Sequence, residues 1–188
     1  MIELNRALEI IAENRRDHIV VSTMSAAGLW PSISNTPLDF VYLPSTMGQG
    51  PSFGLGLALS HSQKGVVVIN GDGCMLMNLG SLVTVAAHQA NLYLIVPDNG
   101  VYGLTGGQKT AGSGDIDYSG IARAAGIKRT YAFDTEDRWA AGAAESLSGS
   151  GPVFVHLLIN PHQTEGSQSP PRPMSEQIAQ LRLALSSS

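Results

Sequence analysis

Two side chains in this sequence are of the right type and spacing to share a hard cation: Asp72, inside Gly71-Asp72-Gly73, and Asn99, inside Asp98-Asn99. They stand 27 positions apart, and each follows a short apolar run. Paired Asp and Asn oxygens suit Mg2+, which favours octahedral oxygen sites and keeps phosphate or water among its ligands. The two runs, Val66 to Ile69 and Leu92 to Val96, are rich in β-branched residues and show no polar alternation, the pattern of parallel strands buried on both faces. Each oxygen therefore belongs at the carboxyl end of a strand, where open α/β sheets bind their ligands. Helical spacing from Met75 to His88 predicts a helix after Gly73, so free amides would face an anion beside the ion. A divalent cation with a phosphate is the implied ligand.

The elements that must hold these residues alternate along the chain. Leu4, Ala7, Leu8 and Ile11 recur at helical spacing within Met1 to Asp17, giving an amphipathic first helix. A strand follows over His18 to Val21. The prolines and serines of Gly28 to Thr36 predict a loop, Phe40 to Leu43 a short strand, and the Gly- and Ala-rich Gly50 to Ser60 a closely packed helix. Beyond the metal loops, the pattern predicts a helix over Tyr118 to Ala125, an extended Arg129 to Phe133, a helix over Glu136 to Ser148 capped by Asp134 or Thr135, and a last strand at Val153 to Leu158. Repeated β-α alternation implies an α/β fold with a doubly wound, mainly parallel sheet and helices on both faces. Residues 1–160 read as one such domain. From Asn160 to Pro173 the chain is polar and proline-rich, and Ser175 to Leu185 recovers helical spacing, so 161–188 reads as a tail packed on the same domain or on a partner.

The 188 residues, 43% hydrophobic and 14% charged, suffice for one well-buried core. A net charge of −4, with no cationic cluster beyond Arg15-Arg16, argues against a nucleic-acid partner. So low a charge fraction fits either a surface covered by another subunit or a sheet buried on both faces. The single cysteine, Cys74, excludes an intrachain disulfide and an iron-sulfur site, and nothing approaches a membrane-spanning length; a reducing cytoplasm is the expected compartment.

The Gly-Asp-Gly and distant Asn resemble the motif of thiamine diphosphate enzymes, in which it marks the domain that binds the cofactor's diphosphate through Mg2+. The resemblance covers most of the chain and implies the thiamine diphosphate-binding fold. It implies that Asp72 and Asn99 give side-chain oxygens to the ion and Val101 its backbone carbonyl, while Gly73, Cys74 and Met75 offer amides to the diphosphate and Gly71 belongs to the same cofactor-binding segment. Leu43 to Gly48 resembles the stretch that holds the aminopyrimidine. Met47 falls at the apolar wedge that bends the cofactor, the Ser45 carbonyl would accept the amino hydrogen, Thr46 lies beside it, and Thr23 lines the pyrimidine pocket. Val101 to Gln108, with Tyr102, Gly103, Leu104 and Thr105 as cofactor neighbours, resembles the 3-substituted pyruvate decarboxylases, above all the β subunit of sulfopyruvate decarboxylase and phosphonopyruvate decarboxylase. Its glycines suit a segment that folds over a bound cofactor or anionic substrate.

Plainer readings stand beside these. Asp-Gly and Asn-Gly are common turn dipeptides, Met47 can be an ordinary core methionine, and Tyr102 can be core rather than cofactor-facing. Cys74 reads as a small residue beside the diphosphate rather than a reactive thiol. Asp98 either orients a ligand or caps its loop. None of His18, His61, His88, His156 and His162 shows ligand spacing, and only His18 and His88 adjoin elements associated with the site.

Enzymes of this family take a glutamate from a separate pyrimidine-side domain to start catalysis. Glu3, Glu9, Glu13, Glu136, Glu145, Glu165 and Glu176 lie on predicted helices or in the tail, and none is in a matching context. The resemblance therefore implies a second subunit carrying the pyrimidine-binding domain, or a dimer of like chains, with a small 2-oxo acid as substrate. Decarboxylation of sulfopyruvate to sulfoacetaldehyde is the leading expectation. Phosphonopyruvate decarboxylation and an acetolactate synthase-like carboligation are alternatives, and a non-catalytic, regulatory thiamine diphosphate-binding module is the alternative of another class. A ferredoxin-linked oxo-acid oxidoreductase is disfavoured by the missing cysteine cluster.

Overall fold

A computed structural model describes residues 1–161 and 169–186; His162 and Glu165 lie outside the described residues. In chain order the elements are α1 (Leu4–Asn14), β1 (Ile19–Ser22), α2 (Met24–Ile33), β2 (Asp39–Val41), α3 (Gly50–Ser60), β3 (Val66–Ile69), α4 (Asp72–Leu76), α5 (Ser81–Ala86), β4 (Leu92–Asp98), β5 (Val101–Tyr102), β6 (Gln108–Lys109), α6 (Tyr118–Ala124), β7 (Arg129–Phe133), α7 (Glu136–Ser146), β8 (Val153–Leu158) and α8 (Met174–Ser186). Six strands make one parallel sheet in the order β2-β1-β3-β4-β8-β7, and β5 and β6 pair as a separate antiparallel hairpin.

The apolar runs behave as their composition requires. Every residue of β1, β3 and β4 is buried, because helices cover both faces. Alternate side chains go to two cores. Val20, Val67, Ile69, Tyr93, Ile95 and Val155 pack with α1, α2 and α7, whereas Val21, Val68, Leu94, Val96 and Phe154 pack with α3, α4, α5, α6 and α8. The fold is thus α/β and doubly wound. The chain leaves β1 for β2 on one side and then crosses to β3 on the other, so the switch in direction lies between β1 and β3. Ser22 pairs with Ile69, and Ile69 with Ile95, so the carboxyl ends of β1, β3 and β4 open into one crevice.

Three expectations are corrected. The stretch over Gly28 to Thr36 is helical as far as Ile33 despite Pro31 inside α2. Trp30 is fully buried there and its indole nitrogen donates to Asp39 Oδ1 at 3.0 Å. Burying so large a ring stabilises by about 3 kcal/mol, comparable to the ~3 kcal/mol an interior proline costs. The single helix expected over Met75 to His88 is two short ones, and the first begins already at Asp72. Between them Asn78 bends the chain: its side chain donates to Gly48 O at 3.1 Å and its carbonyl accepts from Ser81 Oγ at 2.7 Å. Neither Asp134 nor Thr135 caps α7 through its side chain; Asp134 pairs with Arg138 at 2.6 Å instead.

The tail helix α8 lies on the edge strand β2 of this same chain. Gln177 reproduces a strand partner there, accepting from Val41 N at 2.8 Å and donating to Val41 O at 3.2 Å, while Leu181 enters the core. An edge strand so covered is withheld from pairing with other chains. Among the described residues no helix is long and apolar enough to cross a membrane.

Candidate functional site

Asp72 and Asn99 meet in one cleft at the carboxyl ends of β3 and β4, with roughly 580 Å³ of empty space. Asp72 opens α4 directly after β3, and its side chain is buried. The Thr110 hydroxyl donates to Asp72 Oδ2 at 3.1 Å. Burial pushes the Asp72 carboxyl up to about 6 and the neighbouring Asp98 charge adds to this, while the Thr110 hydroxyl and Gly73 amide pull it back. Asn99 closes β4, and its Oδ1 accepts from Val101 N at 3.0 Å, a local bond that sets the side chain against its own turn. The Val101 carbonyl accepts from Gly103 N at 3.1 Å. Asp98 does cap this turn, with Oδ1 accepting from Gly100 N at 3.0 Å, and its Oδ2 lies 2.9 Å from His156 Nε2.

A second group of bonds places the segment before α3. The Cys74 thiol donates to Asn70 Oδ1 at 3.0 Å and accepts from Gly48 N at 3.1 Å. Burial pushes this thiol up, with the Gly48 amide and Thr23 hydroxyl acting the other way, so Cys74 is a protonated strut and not a nucleophile. Together with the Asn78 bond to Gly48 O, it anchors the loop that brings Met47 into the cleft. Asn70 is fitted so closely that a Cβ on Gly50 would come within 2.7 Å of its Oδ1. Thr23, at the end of β1, also lines the cleft and donates through Oγ1 to Ile69 O at 2.9 Å. Met24 beside it has φ +50, a left-handed conformation that costs a non-glycine residue about 1–2 kcal/mol.

The hairpin of β5 and β6 forms the remaining wall, through Val101, Tyr102, Gly103, Leu104 and Thr105. The Tyr102 ring lies against Gly73, where a Cβ would come within 2.5 Å of the ring. Glycine at 73 therefore leaves room for this ring. Because α4 has only five residues, little macrodipole builds up, and the Met75 amide is spent on Gly71 O at 2.8 Å.

Of the residues singled out from sequence, the cleft gathers Thr23, Met47, Gly71, Asp72, Gly73, Cys74, Asn99 and Val101 to Thr105, and leaves Ser45 and Thr46 outside its lining. Thr46 is exposed, while Ser45 Oγ is buried without a partner among the described residues. The histidine expectation is corrected. His18 sits at the amino end of β1, the opposite end of the sheet, and His88 is exposed with Nδ1 2.8 Å from Thr84 O, whereas His156 reaches Asp98 in the turn that carries Asn99. Asn70, Asn78, Thr110 and His156 escaped the sequence reading. Asn70 left one signal, a polar residue closing an otherwise apolar strand.

The donor set able to hold a divalent ion is Asp72, Asn99 and the Val101 carbonyl, all hard oxygens. Among the described residues no three of His, Cys, Asp and Glu gather as a metal cluster, so an ion here would draw on this mixed set plus oxygens of a ligand or water. Among the described lining residues Asp72 alone carries a charge. A cation against two neighbouring buried carboxylates would relieve the repulsion that raises Asp72. The residues fit a Mg2+-diphosphate group.

The family described as Thiamine pyrophosphate enzyme, C-terminal TPP binding domain, matches residues 21–157. The chain belongs to this thiamine pyrophosphate enzyme family. It is 40% identical over 166 residues to phosphonopyruvate decarboxylase from Streptomyces viridochromogenes, a match covering 87% of this chain and 41% of that one. It is 37% identical over 164 residues to sulfopyruvate decarboxylase subunit beta from Methanothermobacter thermautotrophicus, covering 86% of this chain and 84% of the relative. The chain thus spans less than half the length of the first enzyme and most of the second. An X-ray structure from Mycobacterium smegmatis, assigned as a thiamin diphosphate-dependent enzyme, shares the fold with a TM-score of 0.71 at 23% identity, over 85% of this chain and 32% of that one.

Proposed function

We propose that this chain is the diphosphate- and Mg2+-holding subunit of a thiamine diphosphate-dependent 2-oxo acid decarboxylase that converts sulfopyruvate to sulfoacetaldehyde and carbon dioxide. The observation that carries this reading is the meeting of Asp72 and Asn99 in one crevice, opposite an anchored Met47. Asp72, Asn99 and the Val101 carbonyl hold the ion. Gly73 and Cys74 face the diphosphate end with their amides, and Met47 fills the bend between the rings, next to Thr23 and the Ser45-Thr46 segment. When bound, thiamine diphosphate supplies the electron sink for loss of carbon dioxide from a 2-oxo acid.

The chain's own residues leave two needs open. No glutamate is among the described residues lining the cleft, and the lining carries no cation for a dianionic substrate. Lys109, exposed on β6, is one local candidate for the substrate's head group. A partner subunit with the pyrimidine-side domain supplies the carboxylate and the remaining cations. The beta-subunit name of the Methanothermobacter relative, matched over 84% of its length, supports that arrangement and the sulfonate substrate. The 40% identity to the Streptomyces enzyme supports phosphonopyruvate as the second reading. Steady-state assays of the reconstituted pair on both substrates decide between them. Full turnover by this chain alone would refute the need for a partner, and tight cofactor binding by the pair without carbon dioxide release would make it a regulatory module.

A further inference from the structure

The turn that carries Asn99 and Val101 is held from a strand far away in sequence. Gly100 has φ +68, a conformation open to glycine but only one of several it can adopt, so the turn needs outside support. Asp98 gives that support by accepting Gly100 N at 3.0 Å. Asp98 is in turn held by His156, whose Nε2 lies 2.9 Å from Asp98 Oδ2. The register of β4 and β8 pairs Val96 with His156, which puts the imidazole on the sheet face that Asp98 shares. His156 is buried, 5% exposed, and its ring meets the Tyr118 ring edge-on, centroids 5.3 Å apart at 74°. A buried chain of contacts thus runs from β8 through Asp98 to the metal turn.

We infer that His156 is a positioning residue that pins Asp98 and so fixes the turn in the shape that presents the Asn99 and Val101 oxygens to the ion. This role rests on the proposed reading of those two residues, with Asp72, as ligands of the ion. Without the imidazole donor, Asp98 Oδ2 would lose its partner across the sheet and be left a buried carboxylate oxygen beside the like charge of Asp72. The carboxylate would rotate away from that position and release the Gly100 amide. Groups that orient metal ligands from behind are commonly worth 10–100-fold in metal affinity. A histidine that only fills the core against Tyr118 would need no carboxylate at Nε2.

Two measurements test this in wild type, H156L and H156Q: amide exchange at Gly100 in the full chain, and the Mg2+ concentration for half-maximal retention of thiamine diphosphate by the pair reconstituted with the partner subunit. Glutamine sets an amide nitrogen close to the place of Nε2, so it restores the donor. H156L should speed Gly100 exchange and raise the Mg2+ requirement by about 10–100-fold, and H156Q should return most of both. Wild-type exchange and Mg2+ requirement in H156L would overturn the assignment, as would equal losses in the two variants. If H156L does not fold, H156N, whose shorter amide stops short of Asp98, is compared with H156Q by the same criteria. If the wild-type chain reconstituted with its partner subunit retains no cofactor with Mg2+, the functional reading fails, while exchange at Gly100 still decides whether His156 holds the turn.

Discussion

The two ends of the sheet treat buried charge in opposite ways. At the amino ends, Arg15 and Asp39 form a buried ion pair whose remaining groups are occupied: Arg15 also donates to His18 O at 2.8 Å, and Asp39 accepts from Trp30, Ser34 and Thr36. At the carboxyl ends, Asp72 and Asp98 lie buried beside one another, no lysine or arginine pairs with either among the described contacts, and His156 Nε2 lies 2.9 Å from Asp98. One end is balanced within the chain. The other holds excess negative charge in a cleft, a state that costs stability and is retained where a cation has to bind. Geometry at the amino end therefore reads as structural and at the carboxyl end as functional.

Breaking the balanced end should produce the largest effect. Arg15→Leu leaves Asp39 buried without its cation and should cost about 3–5 kcal/mol in chemical denaturation, with cofactor affinity of the folded protein unchanged. At the unbalanced end the sign reverses. Asp72→Asn should lower Mg2+-dependent cofactor retention by about 100-fold or more, and yet stabilise the metal-free chain by about 1–2 kcal/mol at pH 8. The reason is that Asp72 titrates near 6 in the fold against 3.8 in the unfolded chain, so its contribution is present below 3.8 and lost as pH rises through about 6. The gain from asparagine should accordingly vanish below that window. A smaller effect is expected of Met47→Ala: about tenfold lower turnover by the reconstituted pair, with retention of cofactor nearly unchanged, since a wedge acts on placement rather than on grip. Lost stability with unaltered turnover would make Met47 an ordinary packing residue.

The smallest effect sharpens the contrast between the ends through pH. His18 stacks on Tyr93 with centroids 4.9 Å apart, and its Nε2 lies 3.0 Å from Leu147 O. Burial holds this imidazole below its usual 6.5, against the Leu147 bond, so the unfolded chain takes up a proton more readily. Stability from His18 is thus complete above 6.5 and declines as pH falls below it. Denaturation at pH 7.5 and 5.5 should show wild type losing more than His18→Phe. Asp72 acts in the opposite sense over that range, which is why the comparison is made between the two proteins and not read from wild type alone.

Much of this contrast is invisible along the chain. Strands β3 and β4 and the two oxygens after them are legible because an apolar run followed at once by Gly-Asp-Gly or Asp-Asn states its own context. Helix α2 is not, since Gly28 and Pro31 signal a loop locally and the opposing force, burial of Trp30 and its bond to Asp39, is tertiary. The break after α4 depends on Asn78 reaching Gly48, 30 positions earlier. His156 is the clearest case. It looks like any strand histidine, and its role depends on Asp98, 58 positions away, which the parallel register of β4 and β8 brings alongside. Short-range patterns thus place the two oxygens, and long-range partners determine how they are held.

The central claim is that Asp72, Asn99 and the Val101 carbonyl grip a divalent ion at the diphosphate end of thiamine diphosphate. Anomalous diffraction from crystals grown with Mn2+ and the cofactor tests it most directly. We expect a single strong peak between the Asp72 and Asn99 side chains, touching diphosphate oxygens. A fully bound cofactor with the metal peak elsewhere, or with either side chain turned out of the cleft, would contradict it.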